Sequence, residues 1–133
     1  ESLNGRVLFH GIRVKPGMPT MLSVVEDIPV LSLSGNPFAV AALFELLAGG
    51  YLADRAEEVY TQKKETKVLR QTFVKTGKPK RIVKGKCDEE GVFLPQIQRN
   101  GQLKNGIGSN CLVVFPEGER TYPEGEKVQV IRI

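Results

Sequence analysis

Histidine and cysteine are almost missing from this sequence: His10 stands alone, and Cys87 and Cys111 are its two thiols. Two cysteines so far apart exclude a metal-ligand motif and a disulfide framework, and both are expected to be reduced thiols of a cytoplasmic protein. A single histidine without a well-placed Asp, Cys or Ser partner makes no recognisable catalytic group, so His10 is assigned no role. No uninterrupted apolar run approaches the roughly 18 residues of a membrane span, and the opening Glu1-Ser2-Leu3-Asn4 lacks the basic-then-apolar order of a signal peptide. A soluble chain without a membrane partner is the expectation. Aromatic residues are also scarce, at 7%. The densest basic run, Lys75, Lys78, Lys80, Arg81, Lys84 and Lys86, has Phe73 and Phe93 alone nearby to stack on bases, so it reads as a solvated strand surface without specific nucleic-acid affinity.

The 133 residues, 41% of them hydrophobic, suffice to bury a core. Charge divides them. Residues 1–60 carry four Lys/Arg against seven Asp/Glu, a balance of −3, whereas residues 61–133 carry fifteen against eight, a balance of +7. The pattern changes at the same place. Arg6 to Val14, Thr20 to Val25 and Ile28 to Leu33 are rich in β-formers, and Pro16-Gly17 marks a turn between the first two. Ser34-Gly35-Asn36-Pro37 then opens an apolar helix from Phe38 to Ala48, which Gly49-Gly50 is expected to stop, although Tyr51 to Tyr60 could continue helically. With hardly any polar face, that helix should be covered on most sides, as between a sheet and another layer. Residues 61–66, TQKKET, form the linker candidate. Beyond it, Lys67 to Thr76, Arg81 to Lys86, Gly91 to Ile97, Asn110 to Phe115 and Glu126 to Ile133 predict five short strands of a small all-β barrel or sandwich over 67–133. Three strands and a helix in sixty residues resemble part of a larger three-layer α/β domain, so the chain is expected to be cut from a longer polypeptide or to borrow its missing layers.

Two short segments carry the plausible chemistry. In Ser34-Gly35-Asn36-Pro37, Asn36 is a good N-cap, Pro37 suits the first helical position, and Gly35 allows a ligand close to the backbone. The first-turn N–H groups of such a helix, at the positive end of its dipole, stabilise an oxyanion; the same residues equally make an ordinary helix start. In Lys15-Pro16-Gly17-Met18-Pro19, a stiff turn holds Lys15 at a strand end, either as a functional cation or as solvated charge.

Taken together, GRVLFHGIRVKPGMPT, VLSLSGNPFAVAALFELL and LVVFPEGERTYPEGEKVQVIRI resemble the MoeA family of molybdopterin molybdenumtransferases and the related gephyrin E domain. The order and spacing of the K-P-G-x-P turn, the G-N-P helix start and the closing P-E-G and G-E-x-V-x-V pattern carry the likeness across nearly the whole chain. It implies that residues 1–60 end a molybdopterin-binding α/β domain and that 67–133 form the family's C-terminal β domain. It further implies a homodimeric enzyme that inserts molybdenum from molybdate into adenylylated molybdopterin with Mg²⁺, releasing AMP. Lys15 then matches the lysine of the anion site and is the catalytic candidate, while Gly35, Asn36 and Pro37, with Ser34 in place of the usual proline, lie beside the pterin ligand. Met18 stands where bacterial members often have a second lysine. The family's glycine- and serine-rich loop and its acidic magnesium ligands lie upstream, so no metal ligand is assigned in this chain, and the fragment alone is expected to be inactive.

Two other classes compete with the transferase fragment: a scaffold or regulatory module of the same family, and a basic nucleic-acid-binding β domain. The last is tested by titration with duplex DNA and RNA. Binding by the basic half should be electrostatic only, with a steep loss of affinity as salt rises; a sub-micromolar, salt-resistant complex would favour the nucleic-acid class.

Overall fold

The computed structural model describes residues 4–57, 61–95 and 108–133. The chain begins with β1 (Gly5–His10), β2 (Val14–Lys15), β3 (Met21–Val25) and β4 (Ile28–Ser32). β1, β3 and β4 form an antiparallel sheet in that order. Glu26 and Asp27, both at positive φ (50° and 65°), make the two-residue turn that joins β3 to β4. Such a turn matches the right-handed twist of the strands it connects.

The helix starts where expected but does not stop at its glycines. α1 (Pro37–Leu43) runs into a π-helical turn (Phe44–Ala48) and then into α2 (Gly49–Arg55). Gly49 and Gly50 are thus the first residues of α2, because glycine in a helix costs only about 1 kcal/mol and no proline interrupts the backbone bonds. The expected continuation beyond residue 57 lies outside the described residues. The nineteen residues Pro37–Arg55 are long and apolar enough to cross a membrane by length and composition, a property that the absence of an uninterrupted apolar run concealed.

The second half comprises β5 (Lys64–Val68), β6 (Phe73–Lys75), β7 (Lys80–Cys87), β8 (Val92–Phe93), β9 (Cys111–Phe115), β10 (Arg120–Tyr122) and β11 (Lys127–Arg132). The expected strand end at Ile97 lies outside the described residues. A six-stranded sheet has the order β2-β7-β9-β11-β5, with β8 paired to the end of β7, and β6 pairs separately with β10. Arg132 of β11 ties to β5 by donating its Nε–H to Glu65 at 3.2 Å, and this hydrogen bond holds the Glu65 carboxyl below its usual range.

Strand alternation splits the central sheet between two cores. On β9, Cys111, Val113 and Phe115 enter a core with Val83, Leu94, Tyr122 and Val130, while Leu112 and Val114 face a second core with Ile82, Ile131 and the helix residues Phe38, Ala42 and Leu43. Phe115 sits between Phe73 and Tyr122, with ring centroids 4.5 and 4.7 Å away. The regular structure of the described residues is therefore mostly β, with one helical segment laid on the sheet.

These packing relations correct two expectations. β5 begins at Lys64, inside the segment read as a linker at 61–66, because its backbone pairs with β11. The halves are also less separate than their charge suggested, since β2 joins β7 and the helix packs on the same sheet. Of the larger three-layer α/β domain expected to include the first sixty residues, the residues described here supply the antiparallel sheet β1-β3-β4, the short strand β2 and one helical segment. Val7, Leu8, Ile28 and Val30 of the sheet, and Phe44, Leu47, Tyr51 and Leu52 of the helix, remain exposed, so the helix is covered on one side and not on most.

The basic run is not uniformly solvated either. Lys75 is only 2% exposed. Its ammonium donates to the carbonyl of Gly77 at 2.8 Å and to that of Gly118, pinning two turns together. Lys75→Met should preserve most of the apolar volume but leave both carbonyls without this donor, lowering stability by about 2 to 4 kcal/mol. Denaturant unfolding checks this, and a change within about 0.5 kcal/mol would show that water replaces the ammonium without cost.

Candidate functional site

The Lys15–Pro19 turn meets, through a glycine, the helix that Ser34-Gly35-Asn36-Pro37 opens. Gly17 follows Lys15-Pro16, with φ at 114°, and a side-chain carbon added there would stand 2.2 Å from Leu43 Cδ1 and 3.8 Å from Ala39 Cβ. The turn thus lies directly on α1. Thr20 holds it from the other side: its hydroxyl and its backbone N–H both donate to the Gly17 carbonyl, at 2.7 and 3.1 Å. Ile12 N–H donates to Met18 O at 2.9 Å, closing the loop, while Met18 itself is exposed.

At the helix start, Asn36 caps as its sequence predicts. Its Oδ1 accepts from the N–H groups of Phe38 (3.0 Å) and Ala39 (3.1 Å), and its backbone carbonyl accepts from Val40 (3.0 Å). Pro37 has no N–H to offer. The first-turn donors expected to be open to an oxyanion are therefore engaged by the cap itself. An anion here would have to approach the loop before the helix or displace the Asn36 side chain. Gly35 leaves room for such an approach, because among the described residues no atom beyond its two chain neighbours lies within 4 Å of where its side chain would begin. Ser34 adds a buried hydroxyl with no hydrogen-bond partner among the described residues. Leaving such a group unsatisfied costs about 1 to 3 kcal/mol, and that deficit is removed by any ligand or water that reaches it.

Lys15 is exposed and stands in register with Arg81 on β7. Alternation along β2 and β7 puts Val14 and Ile82 in the core shared with the helix, and Lys15 and Arg81 toward the other face. Thus the structure brings the lysine's turn, and not its ammonium group, against the helix. The cation that does stand at the helix start is Lys84, whose Nζ is 4.8 Å from the Phe38 ring centroid. Lys84 and Arg81 appeared in the sequence as members of a basic run; their neighbours depend on a strand pairing that no local pattern reveals. His10 lies on β1 and is exposed.

For Mg²⁺, the donor set does not fit. The ion takes carboxylate and water oxygens in near-octahedral geometry, and among the described residues no three His, Cys, Asp or Glu side chains converge to hold a metal. What the arrangement offers chemically is a cationic sheet edge, a glycine-bordered gap and an unsatisfied hydroxyl, all suited to anionic or hydrogen-bonding ligands.

Residues 68–133 match the family described as the MoeA C-terminal region (domain IV). Among curated proteins, a molybdopterin biosynthesis protein of Methanocaldococcus jannaschii is 32% identical over 126 residues, covering 95% of this chain and 30% of that protein. The molybdopterin molybdenumtransferase of Bacillus subtilis is 28% identical over 142 residues, covering all of this chain and 32% of its own length. Among solved structures, the molybdopterin biosynthesis moeA protein of Pyrococcus horikoshii superposes with a TM-score of 0.81 at 25% identity, over 96% of this chain and 33% of that one. The chain therefore spans about a third of the length of these relatives.

The two glycines should respond differently to the same substitution. Gly17→Ala meets Leu43 and an unfavourable φ, and should cost about 1 to 3 kcal/mol, whereas Gly35→Ala enters open space and should stay within about 0.5 kcal/mol. Unfolding curves of both variants decide this; equal losses would show that Gly35 too is held by packing.

Proposed function

Since the chain belongs to the MoeA family and corresponds to its C-terminal region, we propose that it is part of a molybdopterin molybdenumtransferase of molybdenum cofactor biosynthesis. In this reading the parent protein inserts molybdenum from molybdate into adenylylated molybdopterin and releases AMP. It acts as a cytoplasmic homodimer, with residues up to about 60 completing the molybdopterin-binding domain. The observation that carries the proposal is the likeness to MoeA over nearly all of the chain, in both sequence and fold. The uncovered apolar faces of the first sheet and the helix agree with it, because a chain one third as long as its relatives supplies only some of their layers.

Within that enzyme, Ser34, Gly35, Asn36 and Pro37 are proposed to line the ligand site. Gly35 provides clearance for the ligand, Ser34 supplies a hydroxyl that has no partner among the described residues, and Asn36-Pro37 fix the helix end that positions both. Lys15 is proposed to meet the anionic substrates, molybdate or the ligand phosphate. The compact ammonium suits an oxyanion without demanding a fixed planar geometry. Mg²⁺ would be held by residues of the parent outside this chain, since no suitable carboxylate cluster occurs among the described residues.

The test is made in the full-length parent. A charge-assisted contact to an oxyanion is worth about 1.5 to 3 kcal/mol, so Lys15→Ala should lower molybdate-dependent turnover by at least about tenfold, with stability unchanged within about 0.5 kcal/mol. Full activity with unchanged folding would reduce Lys15 to a surface charge and leave the scaffold reading as the better account of this region.

A further inference from the structure

Cys87 and Cys111 lie far from Lys15 in sequence and from the helix start, in the core of the all-β half. Cys87 is 4% exposed and Cys111 fully buried. Although 24 positions apart, their sulfurs stand 2.7 Å from each other, well inside the ordinary contact of two thiols. Three further features bring them together. Gly85 pairs with Cys111 across β7 and β9, and a side-chain carbon at Gly85 would stand 3.0 Å from the Cys111 sulfur and 2.8 Å from Val92, so glycine there makes room for the thiol. Asn110, next to Cys111, clamps the backbone of Cys87 from both sides: its Oδ1 accepts from Cys87 N at 2.7 Å and its Nδ2 donates to Cys87 O at 2.8 Å. Arg132 adds a longer contact to the same carbonyl, at 3.4 Å.

We propose that Cys87 and Cys111 are a redox pair that closes into an intramolecular disulfide when a peroxide oxidises the protein. The cytoplasmic default is the dithiol, in which the two sulfurs share a hydrogen bond. Cys87, the more exposed of the two, reacts first: its thiolate attacks one peroxide oxygen, the O–O bond breaks, and hydroxide leaves to give a sulfenic acid. Cys111 then attacks the Cys87 sulfur. The S–S bond forms, the S–O bond breaks, and water departs with the Cys111 proton. In sum, two thiols lose two electrons and two protons, and one hydrogen peroxide becomes two waters. Burial pushes the Cys111 thiol up, which makes it a poor first nucleophile; its contact with the Cys87 sulfur assigns it the second step, in which it gives up its proton as the S–S bond forms.

The product would staple β7 to β9 and enclose residues 88–110 in a covalent loop. Such a link restricts the unfolded chain more than the folded one. It requires little movement of the native backbone, because the Asn110 clamp already sets the spacing.

The full chain, folded and reduced, is treated with hydrogen peroxide and then digested under non-reducing conditions for mass spectrometry. The expected result is loss of both free thiols, a linked pair of peptides containing Cys87 and Cys111, and full reversal by dithiothreitol. The thermal midpoint should rise by at least about 5 °C in the oxidised form. In Cys111→Ala, oxidation should halt at a Cys87 sulfenic acid that dimedone traps. The wild-type peptide map needs no variant and decides the matter alone. Two unmodified thiols in folded protein, linkage between different molecules, or a Cys87–Cys111 link that forms only in denaturant would each overturn the proposal.

Discussion

Burial of one sheet on both faces organises the rest of this structure. On β9 each step of the strand sends a side chain to the opposite side: Cys111, Val113 and Phe115 to the aromatic core, Leu112 and Val114 to the helix. Neither face can be left open without exposing a row of large apolar groups, each worth about 1.5 to 3 kcal/mol when buried. The inner face is closed by β6, β10 and the hairpin that ends in β8; the outer face is closed by α1. This is why the chain's first half, opposite in net charge to the second, is nonetheless bound to it. The parallel pairing of β2 with β7 extends the same sheet by one short strand and delivers the Lys15 turn to its edge.

The same demand for cover explains what is unfinished. α1 buries Ala39, Ala42 and Leu43, yet Phe44, Leu47, Tyr51 and Leu52 face outward, as do Val7, Leu8, Ile28 and Val30 on the first sheet. Exposed apolar area on this scale marks surfaces that associate. The chain spans about a third of the length of its relatives, and these faces are the apolar surface it leaves without cover.

At the candidate site, conformational limits and chemistry share residues. Gly17 is required by packing, because a Cβ there collides with Leu43, whereas Gly35 borders open space where packing asks for nothing. Asn36 fixes the helix end at the expense of two backbone donors, which moves any anion-binding role from the first helical turn toward the loop of Ser34 and Gly35. The basic run is likewise divided by its environment. Lys75 is a buried clamp between two turns, Lys84 stands over Phe38, and Arg81 accompanies Lys15.

Much of this was legible in the chain itself, because it depends on neighbours a few residues apart. Asn36-Pro37 starts a helix through bonds to residues two and three positions on; the Pro16-Gly17 turn, the short β-forming runs of β9 and β11 and the change of charge near residue 61 are equally local. Ordered along the sequence, they also carried the family resemblance. Where elements end and which of them touch was decided only by tertiary structure. Gly49-Gly50 looks like a helix stop, but backbone bonding continues through it; TQKKET looks like a linker until pairing with β11 extends it into a strand. No local pattern could show that Lys75 is buried while Lys78 and Lys80 are not, nor that Cys87 meets Cys111 across two strands. Burial and contact depend on register between segments distant in the chain, and register is set by the packing of the whole sheet.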